Sequence, residues 1–192
     1  MSPSAEHAIA WIWGAVALYW LWSSRNAKQS VRTEPPLTRL VFYWLPFGLA
    51  FHLLGSGKRF AGTLLGTRFV PDTVTFEGLG LVLAVAGAFL ACWARFILGR
   101  NWSSVVQIKD DHELIEHGPY RYVRHPIYTG LLLVFLGHAV LVGELRGLLA
   151  VAIILASFWR KLRQEERWLT EHFGEPYRDY VKRTRALVPG VL

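Results

Sequence analysis

Long apolar runs separated by short polar stretches set the plan of this chain. They cover about Ala8 to Trp22, Leu40 to Leu54, Leu79 to Leu98, Ile127 to Val142 and about Leu145 to Trp159. Runs of this length and polarity read as membrane-crossing helices. The second is the weakest, short and interrupted by Pro46 and Gly48, so it spans with help from its flanks or it kinks. The third is the cleanest. Its Gly80, Ala84, Gly87 and Ala91 recur three or four apart and give it one smooth face for close helix packing. Only Gly143-Glu144 separates the last two runs, which predicts an antiparallel hairpin. From Arg160 onward the chain is highly charged but keeps helical spacing at Leu162, Trp168, Leu169 and Phe173. That is the pattern of a helix leaving the membrane and lying near its surface, until Gly174 and Pro176 stop it. The expected fold is all-α: a polytopic integral membrane protein of about five transmembrane helices, with a helical hairpin and a cytosolic C-terminal helix. One domain, 1–192, is expected, with the N-terminal spans in 1–92 and the chemistry in 93–192.

Composition agrees with this plan. Of the 192 residues 53% are hydrophobic and only 18% charged, and the nine tryptophans and seven tyrosines suit two membrane interfaces. Only Glu6 and His7 precede the first apolar run within reach, so it reads as a retained helix and not as a secretory signal. The lone Cys92 excludes an internal disulfide and a cysteine-cluster metal site, and no His/Asp/Glu spacing recommends a metal. The net charge of +7 is not a nucleic-acid signal, because the basic residues flank apolar runs and orient them in a bilayer. With five spans, 17 of the 21 Lys and Arg residues fall on one side, leaving Lys58, Arg59, Arg68 and Arg146 on the other. The positive-inside rule then puts the loop Gly99 to His125 and the C terminus in the cytoplasm, and the N terminus outside.

Candidate chemistry concentrates between Asp110 and Gly130, where His112, the Gly118-Pro119-Tyr120 turn, Arg121, Arg124, His125, Pro126 and Tyr128 crowd together. Proline is tolerated where a helix starts, and a helix beginning near Pro126 points free N–H groups and a positive dipole end toward an anion. An earlier start would put Arg121, His125 and Tyr128 on one helix face. The hairpin supplies a partner for this cluster. His125 lies 19 residues before Glu144 and Arg163 lies 19 after it, so Glu165-Glu166 emerges within one helical turn of the depth of Arg124 and His125. The plain reading is an interfacial ion pair between Arg124 and one of the glutamates. So dense a polar group beside a bilayer is also costly, which argues for a site, one that takes an anionic ligand bearing a carboxylate. His52 and His138, inside apolar runs, read as polar contacts between helices.

The sequence Gly118-Pro119-Tyr120, then Arg124-His125-Pro126-Ile127-Tyr128-Thr129-Gly130, an apolar span, and Glu165-Glu166 resembles the RHPxYxG…EE pattern. That pattern belongs to the isoprenylcysteine carboxyl methyltransferases and related phospholipid methyltransferases. Gly99-Arg100-Asn101-Trp102 and Phe173-Gly174-Glu175-Pro176-Tyr177 with Tyr180 look similar too, so the likeness covers about residues 93 to 190. It implies a membrane enzyme using S-adenosylmethionine, with His112, Gly118, Pro119, Tyr120, Arg124, His125, Tyr128, Glu165 and Glu166 lining the cofactor pocket on the cytosolic side. The residue types agree with that ligand. Arg, His and a helix N-terminus suit its carboxylate, Glu its ammonium, and tyrosine faces its sulfonium.

The acceptor implied is a carboxyl or hydroxyl group on a prenyl- or lipid-like molecule that enters sideways from the membrane. Arg95, Arg100 and Arg183 are candidates to hold an ionised acceptor in register. The alternatives are N-methylation of a phospholipid headgroup, an NADPH-dependent enzyme like the sterol reductases, and a non-catalytic scaffold. Membrane lipids are expected neighbours; nucleic acid and metals are not expected partners.

Overall fold

Six helices make up most of the chain: α1 (Pro3–Ser24), α2 (Pro36–Gly55), α3 (Val74–Leu98), α4 (Pro126–Val142), α5 (Leu145–Phe173) and α6 (Glu175–Arg183). The computed structural model describes residues 1–25, 30–55, 57–99, 107–109 and 114–190. The candidate residues Arg100 and His112, with Asn101 and Trp102, lie outside them. The helical class holds, with one addition. Strands β1 (Ser30–Thr33) and β2 (Gln107–Lys109) pair antiparallel and join the loops that follow α1 and α3.

The helices alternate in direction. At one end of α1 the Met1 amine meets Asp72 at 3.3 Å and the Ser2 hydroxyl donates to Glu77 at 2.9 Å, beside the start of α3. At the other end Arg95 of α3 donates to the Ser23 carbonyl at 2.6 Å, so α1 and α3 run parallel. Helix α4 runs against α3 with almost nothing between the backbones. A β-carbon at Gly130 would lie 2.5 Å from the Ala91 nitrogen, and one at Gly137 would lie 2.5 Å from the Gly80 carbonyl. The smooth face of Gly80, Ala84, Gly87 and Ala91 is buried there, and what faces it is a matching pair of glycines on α4. Gly143, at φ 69°, turns the chain into α5.

Helix α2 lies antiparallel to α5 and carries Pro46 without a break. Proline has no N–H to offer the Phe42 carbonyl four residues back. The chain compensates twice. Residues Leu40–Trp44 widen into a π-turn, and the Ser157 hydroxyl of α5 donates to the stranded Phe42 carbonyl at 2.6 Å. At the far end of the same pair, Arg146 caps the Leu53 and Leu54 carbonyls.

Helices α2 and α3 are long and apolar enough to cross a membrane, and α4 is a shorter apolar helix. Exposure along α1 and α3 shows what surrounds these two helices. Trp11, Leu18, Val82, Phe89 and Phe96 are between 65% and 78% exposed, whereas a soluble core helix turns such side chains inward. Helix α5 continues unbroken past Arg160 to Phe173, so the charged stretch first extends the hairpin. The chain turns away only at Gly174, whose φ of 62° ends the helix.

Candidate active site at the end of the hairpin

The site starts from a turn. Gly118, at φ 61°, opens the short 3₁₀ segment Gly118–Arg121, and Tyr120 from it is buried. The Tyr120 hydroxyl donates to the Ala94 carbonyl at 3.4 Å, and its own carbonyl accepts from the Tyr180 hydroxyl at 2.6 Å. The turn is thus pinned between α3 and α6, and burial pushes the Tyr120 hydroxyl pKa well up, so it stays neutral. Beyond it the chain forms a short parallel ladder with the C-terminal segment. Arg124 N–H bonds the Arg185 carbonyl at 2.8 Å and His125 N–H the Ala186 carbonyl at 3.0 Å, while Thr129 Oγ1 donates to the Leu187 carbonyl at 2.7 Å. Helix α4 begins at Pro126, with His125 held outside it (φ −125°, ψ 58°), clear of the α region that a following proline disfavours. The shared face of Arg121, His125 and Tyr128 therefore does not form. Arg121 belongs to the preceding turn.

The glutamates of α5 arrive at the expected depth. Arg124 Nε donates to Glu166 Oε1 at 2.7 Å, and the same guanidinium reaches the Thr184 carbonyl at 2.6 Å. His125 stands between the two carboxylates, with Nε2 3.3 Å from Glu166 Oε1 and Nδ1 3.5 Å from Glu165 Oε2. The Tyr128 hydroxyl donates to Glu165 at 2.6 Å. His125 stacks on Tyr128 with centroids 5.5 Å apart, and Tyr128 on Phe158 at 4.9 Å. Burial by itself would lower the His125 pKa, but hydrogen bonds and charge from Glu165 and Glu166 outweigh it and raise the value. Burial likewise pushes Glu165 and Glu166 up, and His125 with their cationic neighbours pulls them below the ordinary carboxylate range. Arg124 and His125 pair with the two glutamates, and the Lys161 ammonium adds its charge on the Glu165 side.

Other expected residues are placed differently. Arg95, 2% exposed, gives its guanidinium to the Gly99 and Ser23 carbonyls at 2.7 and 2.6 Å, closing the end of α3 onto α1. Arg183 is exposed and meets Glu116 at 2.8 Å. His138 does bridge helices, accepting from Trp13 Nε1 at 3.3 Å. Sequence reasoning missed Lys161, whose ammonium lies 5.4 Å from the Tyr128 ring and 5.2 Å from that of Tyr43. Its spacing of four from Glu165 was the available signal. It also missed the Glu34–Tyr43–Arg160 group, in which Tyr43 donates to buried Glu34 and Arg160 lies 3.3 Å from the same carboxylate. Nothing in the sequence joins those three.

The family model for isoprenylcysteine carboxyl methyltransferase matches residues 79–171, a stretch holding Arg124, His125, Glu165 and Glu166. The protein-S-isoprenylcysteine O-methyltransferase of Schizosaccharomyces pombe is 32% identical over 157 residues, covering 77% of this chain and 66% of that protein. The chain resembles the isoprenylcysteine carboxyl methyltransferase family over this stretch. Protein-S-isoprenylcysteine O-methyltransferase B of Arabidopsis thaliana is 26% identical over 183 residues, covering 83% of the chain and 93% of that protein. The chain therefore spans just under two thirds of the fission-yeast relative and nearly all of the plant one. A solved structure of the eukaryotic intramembrane Ras methyltransferase, isoprenylcysteine carboxyl methyltransferase, shares the fold. Its TM-score is 0.56 at 24% identity, over 84% of this chain and 55% of that one.

Proposed function

We propose that this chain is an S-adenosylmethionine-dependent methyltransferase that esterifies the carboxylate of an isoprenylated cysteine held in the membrane. One observation carries the reading: Arg124, His125, Glu165 and Glu166 meet at the end of the α4–α5 hairpin beside the His125–Tyr128–Phe158 stack. The donor set fits the cofactor. Glu165 and Glu166 suit its ammonium, Arg124 and His125 its carboxylate, and the aromatic stack its sulfonium. When bound, the cofactor supplies a methyl group on positively charged sulfur.

The ionisation of the cluster favours a carboxylate acceptor. Glu165 and Glu166 raise the His125 pKa and are themselves held below the ordinary carboxylate range, a shift opposite to the one that prepares a carboxylate to take a proton from an ammonium. An acceptor that arrives ionised needs no such base. The protein's work is then alignment and removal of water, which the buried ring stack and the hairpin wall provide. The exposed apolar flanks of the helices give the isoprenoid tail its route from the bilayer. Five spans, with the hairpin end and the C terminus in the cytoplasm, complete the proposal. A C-terminal reporter tests that topology and overturns it by reading on the opposite side.

The decisive experiment supplies methyl-labelled S-adenosylmethionine and a farnesylated cysteine with a free carboxylate to protein in detergent. Label released as methanol by mild alkali is the expected result, because a methyl ester hydrolyses and an N-methyl group does not. Alkali-stable label in phospholipid, or binding of NADPH without S-adenosylmethionine, overturns the proposal.

A further inference from the structure

With Arg124 and His125 set toward the cofactor's carboxylate, an ionised acceptor needs a cation of its own. Arg95 is spent on two carbonyls, and Arg183 meets Glu116 in the open. Lys161 is better placed. It stands one turn before Glu165 on α5, about 6 Å nearer the apolar part of the helix. Its ammonium lies 5.4 Å from the centre of the Tyr128 ring, the face offered to the sulfonium, and 5.2 Å from that of Tyr43 on α2. Unlike Arg95, Lys161 is only half-buried and keeps part of its surface. Lost hydration lowers its pKa while Glu165 and Glu34 support its charge, so a further anion in contact with it is stabilising.

The surroundings are those that an acceptor arriving from the bilayer meets. Tyr43 belongs to the π-turn Leu40–Trp44, a deformation common at functional sites. Its hydroxyl donates to Glu34, which also takes Arg160, and this holds the Tyr43 ring beside Lys161. Phe42 and Trp44 of the same turn are exposed, as is Trp159 of α5, and Arg160 lies over the Phe42 ring at 4.0 Å. Given the methyltransferase reading of this site, we propose that Lys161 binds the carboxylate of the acceptor at the seam between α2 and α5. The isoprenoid tail stays among the exposed apolar side chains of those helices. A carboxylate oxygen gives its lone pair to the methyl carbon, and the S–CH3 bond breaks with its electron pair returning to sulfur. The products are a neutral ester and a neutral sulfide; no proton moves, and Lys161 keeps its own. Because the carboxylate charge fades as the ester forms, the ammonium acts on binding of the acid, in KM and not in kcat.

Competition binding and kinetics in detergent test this, with farnesylcysteine acetylated on its amine as the free acid and as the carboxamide. The unaltered protein is expected to prefer the acid. Lys161→Met loses that preference and raises KM for the acid about tenfold to a hundredfold, while S-adenosylmethionine affinity is retained and Lys161→Arg restores part of the preference. Equal losses for acid and amide mark a structural lysine and overturn the assignment, as does a preference undiminished in Lys161→Met. Should that variant not fold, the N-hydroxysuccinimide ester of the same acid on the unaltered protein decides. Acylation of Lys161 that excess free acid suppresses supports the assignment, and acylation confined to other lysines overturns it. Failure of the unaltered protein to form any alkali-labile methyl ester is a separate outcome, which removes the methyltransferase reading and this role of Lys161 with it.

Discussion

Glu166→Gln keeps the shape of the side chain and removes the charge that Arg124 and His125 both meet. The side chains of Arg124 and Glu166 are 10% and 15% exposed, so water screens the 2.7 Å pair only slightly. A hydrogen bond to a charged group contributes about 1.5–3 kcal/mol and a neutral one about 1, so the Arg124 bond loses about 1–2 kcal/mol and the longer His125 contact about 1. The sum, about 2–3 kcal/mol, lowers Tm by about 4–12 °C in a chain of this size. Because Arg124 also holds the Thr184 carbonyl, the loss is local. Amide exchange should rise first in residues 181–187, and S-adenosylmethionine affinity should fall with it. A double-mutant cycle of Glu166→Gln with Arg124→Gln isolates the pair, with an expected coupling of at least about 1 kcal/mol. Additive effects, or unchanged exchange at 184–187, refute the assignment of Arg124 and Glu166 as the strut between α5 and the C-terminal segment.

The same cluster gives a pH signature. The raised His125 pKa adds stability that is complete below its ordinary 6.5 and lost as pH rises through the folded value, and the lowered Glu165 and Glu166 pKa values add stability that is complete above 4.5 and lost as pH falls through theirs. Unfolding followed against pH should therefore weaken on both sides of that interval, and His125→Gln should abolish the alkaline limb; a limb that persists assigns it elsewhere. Gly130→Val drives a β-carbon into the Ala91 backbone, and overpacking of this kind costs about 1–3 kcal/mol, read as a lower Tm together with weaker cofactor binding, since α4 carries the site; an unchanged Tm contradicts the close packing. Ser157→Ala leaves the Phe42 carbonyl without its donor and costs about 1–2 kcal/mol in the same assay, whereas Ser157→Thr, which keeps the hydroxyl, retains most of the stability.

The sequence by itself determined the elements and their depth. Apolar runs marked α1 to α5, Gly143-Glu144 fixed the hairpin, and a fixed rise per residue then brought Glu165-Glu166 level with Arg124-His125. The small-residue face of α3 was visible because four small side chains at helical spacing serve little else. Tertiary structure decided which atoms meet. That His125 bridges both carboxylates, that the C-terminal segment crosses the start of α4, and that Ser157 repairs the gap left by Pro46 all depend on segments far apart in the chain. So do Arg95, spent on two carbonyls, and Lys161, set between rings of α2 and α4. Periodicity records how each helix divides between lipid and protein. The partner of a charged side chain is set by which backbones come close, and that is a property of the packed molecule.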